Sequence, residues 1–478
     1  MNFRLISNTL GYILWVEAGF MLLPLAAALL CGENCLPFLV SLLLCAAVGM
    51  GLLLCPVKFK QMQRRDGYVA VALSWLLLTL FGALPYLFSH TIPHFFDAVF
   101  ETASGITTTG ATILTAVEDL PKSVILWRSE TQWMGGMGVL VLFLALMPKL
   151  GDGAVYLMRA ESPGPIKSKL VPKVGQTAKI LYEIYIGLTL LEMLALRLAG
   201  MSWFDALNHA FTTIATGGFS TFNTSIMNCS AAIVWVIIVF TFLAGVNFAL
   251  FFSAIRGKWG DLWHNEELRV YIGITVAATA FICLNLCVQE GIPFSNALTD
   301  AAFQVTTIMT TTGYATRDFA LWPTFSRCIL LLLMYVGGSA GSTAGGVKVS
   351  RLLLLWKSLR REVSRIVHPN HISVITIDGQ KIEEQAVIQA HAFQVAYLLV
   401  LMGAALVISW DNMGIAESLT ASLTCISNVG PGMGALGPMS NFSALNDVSK
   451  LTMTLTMLMG RLELMPILAL FNRQMWKK

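Results

Sequence analysis

Thr107-Thr108-Thr109-Gly110, Ala215-Thr216-Gly217-Gly218, Thr310-Thr311-Thr312-Gly313 and Ser427-Asn428-Val429-Gly430 are four short segments that end in glycine, each set in a strongly apolar stretch. The chemistry they offer is that of backbone carbonyls. A monovalent cation entering lipid must exchange its hydration shell for other oxygens, and rings of carbonyls supply them without adding net charge. Irregular backbone at membrane depth is tolerated where it lines a water-filled or protein-enclosed cavity. Glycine takes positive φ at no steric cost, so Gly110, Gly218, Gly313 and Gly430 permit successive carbonyls to turn toward one axis. The candidate ligand atoms are the carbonyl oxygens of Thr108, Thr109, Thr216, Gly217, Thr311, Thr312, Asn428 and Val429. A single Thr-Gly segment reads as an ordinary turn. Four in register predict one axial pore.

The register is wider than the loops. Their glycines lie 108, 95 and 117 residues apart, the spacing of a membrane unit repeated within one chain. A second glycine follows each by 26, 27, 25 and 30 residues, at Gly136, Gly245, Gly338 and Gly460. Before each loop runs a stretch too short to cross a bilayer, at 95–105, 203–215, 295–309 and 416–426, as expected of a re-entrant helix. Asp97, Asp205, Asp300 and Glu417 open these stretches, where acidic groups suit helix N-termini and attract cations.

These elements belong to a chain of 478 residues that is 56% hydrophobic and 12% charged, a balance that excludes an average soluble protein. Ten apolar stretches are long enough to span: 9–30, 36–55, 68–89, 124–147, 178–200, 231–256, 267–288, 326–356, 385–409 and 448–471. The first lacks a convincing cleavage site and reads as a retained helix. Basic residues cluster at Lys58, Lys60, Arg64, Arg65, Lys149, Lys167, Lys169, Lys173, Arg351, Arg360, Arg361, Arg365, Lys477 and Lys478, which places both termini in the cytoplasm. Topology alone accounts for that charge, with a docking surface for a cytosolic partner as the sharper alternative, and no nucleic-acid partner is expected. The nine cysteines show no zinc-like spacing, and Cys31 and Cys35, both outside, are the pair that an oxidising compartment could join.

The expected fold class is an all-α polytopic membrane protein: four fused repeats of span, pore helix, filter loop and span around one pseudo-fourfold pore, plus two leading transmembrane helices. The expected divisions are 1–65 for the leading helices and 66–150, 151–258, 259–362 and 363–478 for the repeats. The third repeat carries five glycines within Gly337-Gly338-Ser339-Ala340-Gly341-Ser342-Thr343-Ala344-Gly345-Gly346. A continuous helix is disfavoured there, and close packing of small residues competes with a flexible break that gates the pore. Arg461 reads as the one basic residue buried in a span, either paired with Glu463 or carbonyls or acting as a positive charge beside the ion path. The same glycine-rich segment fits GxSxG through Ser339, but it lacks the strand-to-helix context of a nucleophile elbow, and Val347 stands where a phosphate loop needs lysine. No enzyme and no cofactor are expected.

The loop quartet resembles the Trk/Ktr/HKT superfamily of potassium uptake proteins, and the two extra leading spans resemble its TrkH-type membrane subunits. The resemblance implies K+ as transported ligand and a homodimer in the bacterial inner (plasma) membrane, regulated by a cytosolic nucleotide-binding TrkA-type subunit. It further implies that a glycine at Gly110 accompanies potassium preference, and that Gly337, Gly338, Ser339, Gly341, Gly345, Gly346 and Arg461 form the gate. Phe219 and Pro431 depart from a potassium-channel TVGYG and imply fewer ion sites. A secondary transporter coupling potassium entry to protons or sodium by symport is the alternative.

Overall fold

The computed structural model describes residues 1–54, 63–138, 141, 174–368 and 374–473. Lys58, Lys60, Lys149, Lys167, Lys169, Lys173, Lys477 and Lys478, and most of the connector 148–175, lie outside the described residues. Apart from a hairpin of Thr376–Ile377 and Gln380–Lys381, the described regular structure is helical.

An apolar run from Phe3 to Cys31 leads the chain and packs on Leu36–Leu53 and Arg64–Gly82. The thiols of Cys31 and Cys35 are free. Four units follow, each with a first helix, a short helix and a following helix. First helices are Arg64–Gly82, Val174–Leu198, Glu266–Gln289 and Glu384–Ile408, and short helices are Phe95–Ile106, Trp203–Ile214, Phe294–Met309 and Ile415–Ser427. The short helices reproduce the sequence expectation to within one or two residues. Their ends are chemically marked: Ser202 caps the second through the Asp205 N–H at 3.1 Å, and Glu417 caps the fourth through the Gly414 N–H at 2.9 Å.

Each unit packs its short helix against both of its own long helices. The following helix then packs against the short helix of the next unit: Lys122–Gly136 on Trp203–Ile214, Ala231–Ala244 on Phe294–Met309, and Thr324–Tyr335 on Ile415–Ser427. Asp447–Arg461 packs on Phe95–Ile106, so the order returns to its start.

The following helices correct an expectation. The stretches 231–256, 326–356 and 448–471 are not continuous spans, and Lys122–Gly136 ends well before 147. Ala231–Ala244 meets Phe248–Ile255 at 95°. Irregular chain separates Thr324–Tyr335 from Val349–Val367, and Glu463 and Leu464, at φ 53° and 65°, separate Asp447–Arg461 from Met465–Leu470. Hydropathy registers apolar composition, whereas a helix also requires each carbonyl to find its own i+4 amide. At the break after Ala244 donors from the third unit serve instead: Ser339 N–H reaches the Gly245 carbonyl at 2.9 Å and Thr343 Oγ1 the Ala244 carbonyl at 3.2 Å. Five described helices are long and apolar enough to cross a membrane, or six when the bent pair counts as one span.

Candidate functional site

The four glycine loops share one backbone. Thr108, Thr216, Thr311 and Asn428, each two residues ahead of its glycine, have φ of 55°, 55°, 58° and 58°, and Gly110, Gly218, Gly313 and Gly430 have φ of 82°, 76°, 85° and 101°. Left-handed threonine is a true outlier, because its branched Cβ crowds the following carbonyl. The short helices end the same way each time. The N–H of Thr108 returns to the Gly105 carbonyl and that of Thr109 to Ser104, both at 2.9 Å. The corresponding pairs at Thr216 and Gly217, Thr311 and Thr312, and Asn428 and Val429 repeat this pattern. It is the Schellman ending, with threonine or asparagine where glycine is usual. Both amides are drawn back toward the helix, and the carbonyls are left facing away.

The loops also meet. A Cβ built on Gly110 would collide with the carbonyl of Gly217, one on Gly218 with that of Thr312, one on Gly313 with that of Val429, and one on Gly430 with that of Thr109. The contacts run in chain order and close on the first loop. All the candidate ligand residues are therefore brought together, and those with side chains are buried.

Polar groups that the sequence reading missed stand behind the loops. Arg128 Nε pairs with Glu101 Oε1 at 2.7 Å, with both side chains buried. Glu101 also accepts from Thr112 Oγ1 and the Ile113 N–H, while Arg128 donates to the Ser220 carbonyl and covers the Phe219 ring at 3.6 Å. Gln132, on the same helix, bonds to the second loop at Gly217 and Phe219. The signal was present, since an ionisable residue inside an apolar segment is a functional flag. Arg461 is accordingly not the one buried basic residue: Arg128, Lys348, Arg351 and Lys450 are all more buried.

The four acidic residues are engaged locally. Asp97 pairs with Lys450 at 2.6 Å, and Asp205 accepts from Thr221 Oγ1 at 2.8 Å. Asp300 lies midway along its helix rather than at its start, because Pro293 starts that helix earlier, and it pairs with Arg317 at 2.9 Å. Burial raises the Asp300 carboxyl above its usual range against the pull of Arg317, whereas N–H donors from Ala435 and Gly414 hold Glu417 below it. Asp97 and Asp300 thus have cationic partners, whereas Asp205 and Glu417 are held by neutral donors.

The glycine-rich segment folds as a loop between units. Glu267 Oε1 accepts the Ala340 and Ser350 N–H groups at 2.6 and 3.0 Å, tying the inside of the segment to the start of the helix that follows it. Gly345 N–H donates to Thr311 Oγ1 at 2.7 Å, and a Cβ on Gly345 would strike the Ser427 carbonyl. Phe248 N–H bonds to the Gly341 carbonyl at 3.0 Å. Gly337, Gly338, Ser339, Gly341, Gly345 and Gly346 thus lie in a loop that meets the second unit at Gly245 and Phe248, and through Gly345 the segment touches the third and fourth loops ahead of their glycines. Arg461 joins this segment to the first unit: it donates to the Thr343 carbonyl and to Gly135, both at 2.7 Å, and to Gly136. Of the two pairings open from sequence, carbonyls hold Arg461, and Glu463 pairs with Arg351 instead.

Residues 38–478 match the TrkH family of cation transport proteins. The chain belongs to the TrkH family. It is 37% identical to the Trk system potassium uptake protein TrkH of Salmonella typhimurium over the whole of both chains. It is 32% identical to the Trk system potassium uptake protein TrkG of Escherichia coli, over 99% of each. The crystal structure of the potassium transporter TrkH from Vibrio parahaemolyticus superposes with a TM-score of 0.89 at 34% identity, covering both chains completely. As a TrkH-family chain with several spanning helices, it is a multi-pass membrane protein.

Proposed function

We propose that this chain takes up potassium across the inner (plasma) membrane through one pore lined by its four glycine loops. The observation that carries this reading is the closed set of loop contacts, with the same pair of positive-φ residues in every loop. Strained backbone repeated four times is what a preorganised ring of carbonyls requires. The carbonyls of Thr108, Thr109, Thr216, Gly217, Thr311, Thr312, Asn428 and Val429 replace the water of a dehydrated ion. The chain comprises repeats at 66–150, 151–258, 259–362 and 363–478 after two leading helices.

Residues 337–346 and Arg461 form the gate in this reading. Arg461 sets a positive charge beside the path, and its three carbonyl partners hold it there while the segment stays closed. The relatives are named as parts of a Trk system, which favours a cytosolic nucleotide-binding TrkA-type subunit acting on the gate. Val349–Val367, directly after the glycine-rich segment and rich in arginine, is the element such a subunit would engage. A homodimer with both termini cytoplasmic completes the arrangement.

Reversal potentials in proteoliposomes under opposed potassium and proton gradients test the reading. The wild type is expected to follow potassium alone, and Gly110→Ser to shift toward sodium. A wild-type potential indifferent to potassium overturns the proposal. One observation favours the second reading, uptake coupled to protons: Glu192 is buried with Thr213 as its neighbouring hydroxyl, and neither of its oxygens makes a hydrogen bond of good geometry among the described residues. A potential that also moves with the proton gradient, and ceases to do so in Glu192→Gln, selects coupling.

A further inference from the structure

The helix Lys122–Gly136 presents residues four apart to the second loop. Arg128 donates to the Ser220 carbonyl at 3.1 Å, Gln132 reaches Gly217 and Phe219, and Gly136 lies against Ala215. Gln132 is fully buried. Its Nε2 donates to the Gly217 carbonyl at 2.7 Å, and its Oε1 accepts the Phe219 N–H at 3.1 Å. One amide therefore brackets Gly218. Its orientation is fixed, because exchanging the amide oxygen and nitrogen would set oxygen against a carbonyl and NH2 against an N–H.

The second loop needs this support where the others do not. In the first loop Thr107 Oγ1 meets Thr109 Oγ1 at 2.7 Å, and in the third Thr310 Oγ1 meets Thr312 Oγ1 at 2.8 Å. In the fourth, Ser427 Oγ meets Tyr397 at 2.6 Å and Asn428 Nδ2 donates to Thr109 Oγ1 at 2.9 Å. The second loop has Ala215 and Gly217 at the positions of those paired threonines and carries no hydroxyl at either. A Cβ on Gly217 would strike the Gln132 amide. The first unit thus fills the side-chain volume that the second loop lacks.

The bond to Gly217 has a consequence for an ion. A carbonyl oxygen has two lone pairs, and at Gly217 one is committed to Gln132 Nε2, while the same oxygen faces Gly110 in the closed set of loop contacts. Among the described residues no hydrogen bond reaches the equivalent carbonyls of Thr109, Thr312 or Val429. The ring is chemically unequal at one corner. We propose that Gln132 is a positioning residue that sets the cation specificity of the pore, by fixing the direction of the Gly217 carbonyl and weakening it as a ligand. The proposal rests on the reading of the loops as a potassium filter.

The test compares potassium-to-sodium permeability ratios, from reversal potentials in proteoliposomes, for wild type and Gln132→Leu. A reversal potential does not depend on how many molecules have folded. The leucine variant is expected to lower the ratio about fivefold or more, the scale of one lost hydrogen bond. An unchanged ratio overturns the proposal. If Gln132→Leu does not assemble, Gln132→Met, close to glutamine in shape but without a donor for the Gly217 carbonyl, is measured in its place. A lowered ratio supports the proposal, and an unchanged one overturns it. A wild type without potassium selectivity would instead overturn the filter reading, so the two failures are distinguishable.

Discussion

At Thr108, Thr216 and Thr311 a β-branched residue is held left-handed, at a cost of about 1–2 kcal/mol each. The cost is sustained by what lies behind the loops, and the buried Glu101–Arg128 pair is the charged part of that support. Removing one member leaves a charge without its partner, which typically costs about 3–5 kcal/mol, whereas replacing both by apolar residues of similar size is far milder. Thermal unfolding in detergent is expected to show a large drop in Tm for Glu101→Ala and a smaller one for Glu101→Leu combined with Arg128→Met. Equal drops would mean that the pair contributes packing rather than charge compensation. Both residues were visible in the sequence as charges within apolar segments. Their pairing was not, because a contact between residues 27 apart on different helices leaves no mark in local periodicity.

The following helices of the second, third and fourth units are broken. In the sequence only 337–346 announced a break, because five glycines there lower helix propensity directly. The break near Gly245 depends on donors supplied by the third unit, and the one after Gly460 on a left-handed Glu463 whose N–H returns to the Gly460 carbonyl at 3.0 Å, so one glycine in an apolar run gave no warning. Arg461 links two of these elements, with bonds to Thr343 in the third unit and to Gly135 and Gly136 in the first. If it restrains the gate, Arg461→Gln should raise the initial rate of rubidium uptake into potassium-depleted cells severalfold at equal membrane abundance. A slower rate at equal abundance would assign Arg461 to holding the pore open instead.

Across the whole molecule, each loop glycine is placed by a carbonyl of the next unit, and that neighbour is backbone, which cannot rotate aside. Gly110→Ala, Gly218→Ala, Gly313→Ala and Gly430→Ala should therefore each abolish selective potassium uptake, with similar severity despite their separation in sequence. Gly187, within Val174–Leu198, has nothing within 4 Å of a built Cβ. Gly187→Ala should keep full uptake and gain roughly 0.5–1 kcal/mol from helix propensity. Uptake assays on the five variants check this directly, and a tolerated alanine at any of the four loop positions would remove that loop from the ring.

The sequence by itself determined the short helices and the loops, because apolar length, turn chemistry and the recurrence of glycine are local or periodic properties. It also carried the family resemblance, since the loop motifs recur along the chain in order. Only the tertiary structure decided which group meets which. Gln132 reaches Gly217, Arg461 binds carbonyls rather than Glu463, and the fourth loop closes on the first, because hydrogen-bond partners across units are chosen by packing rather than by sequence separation.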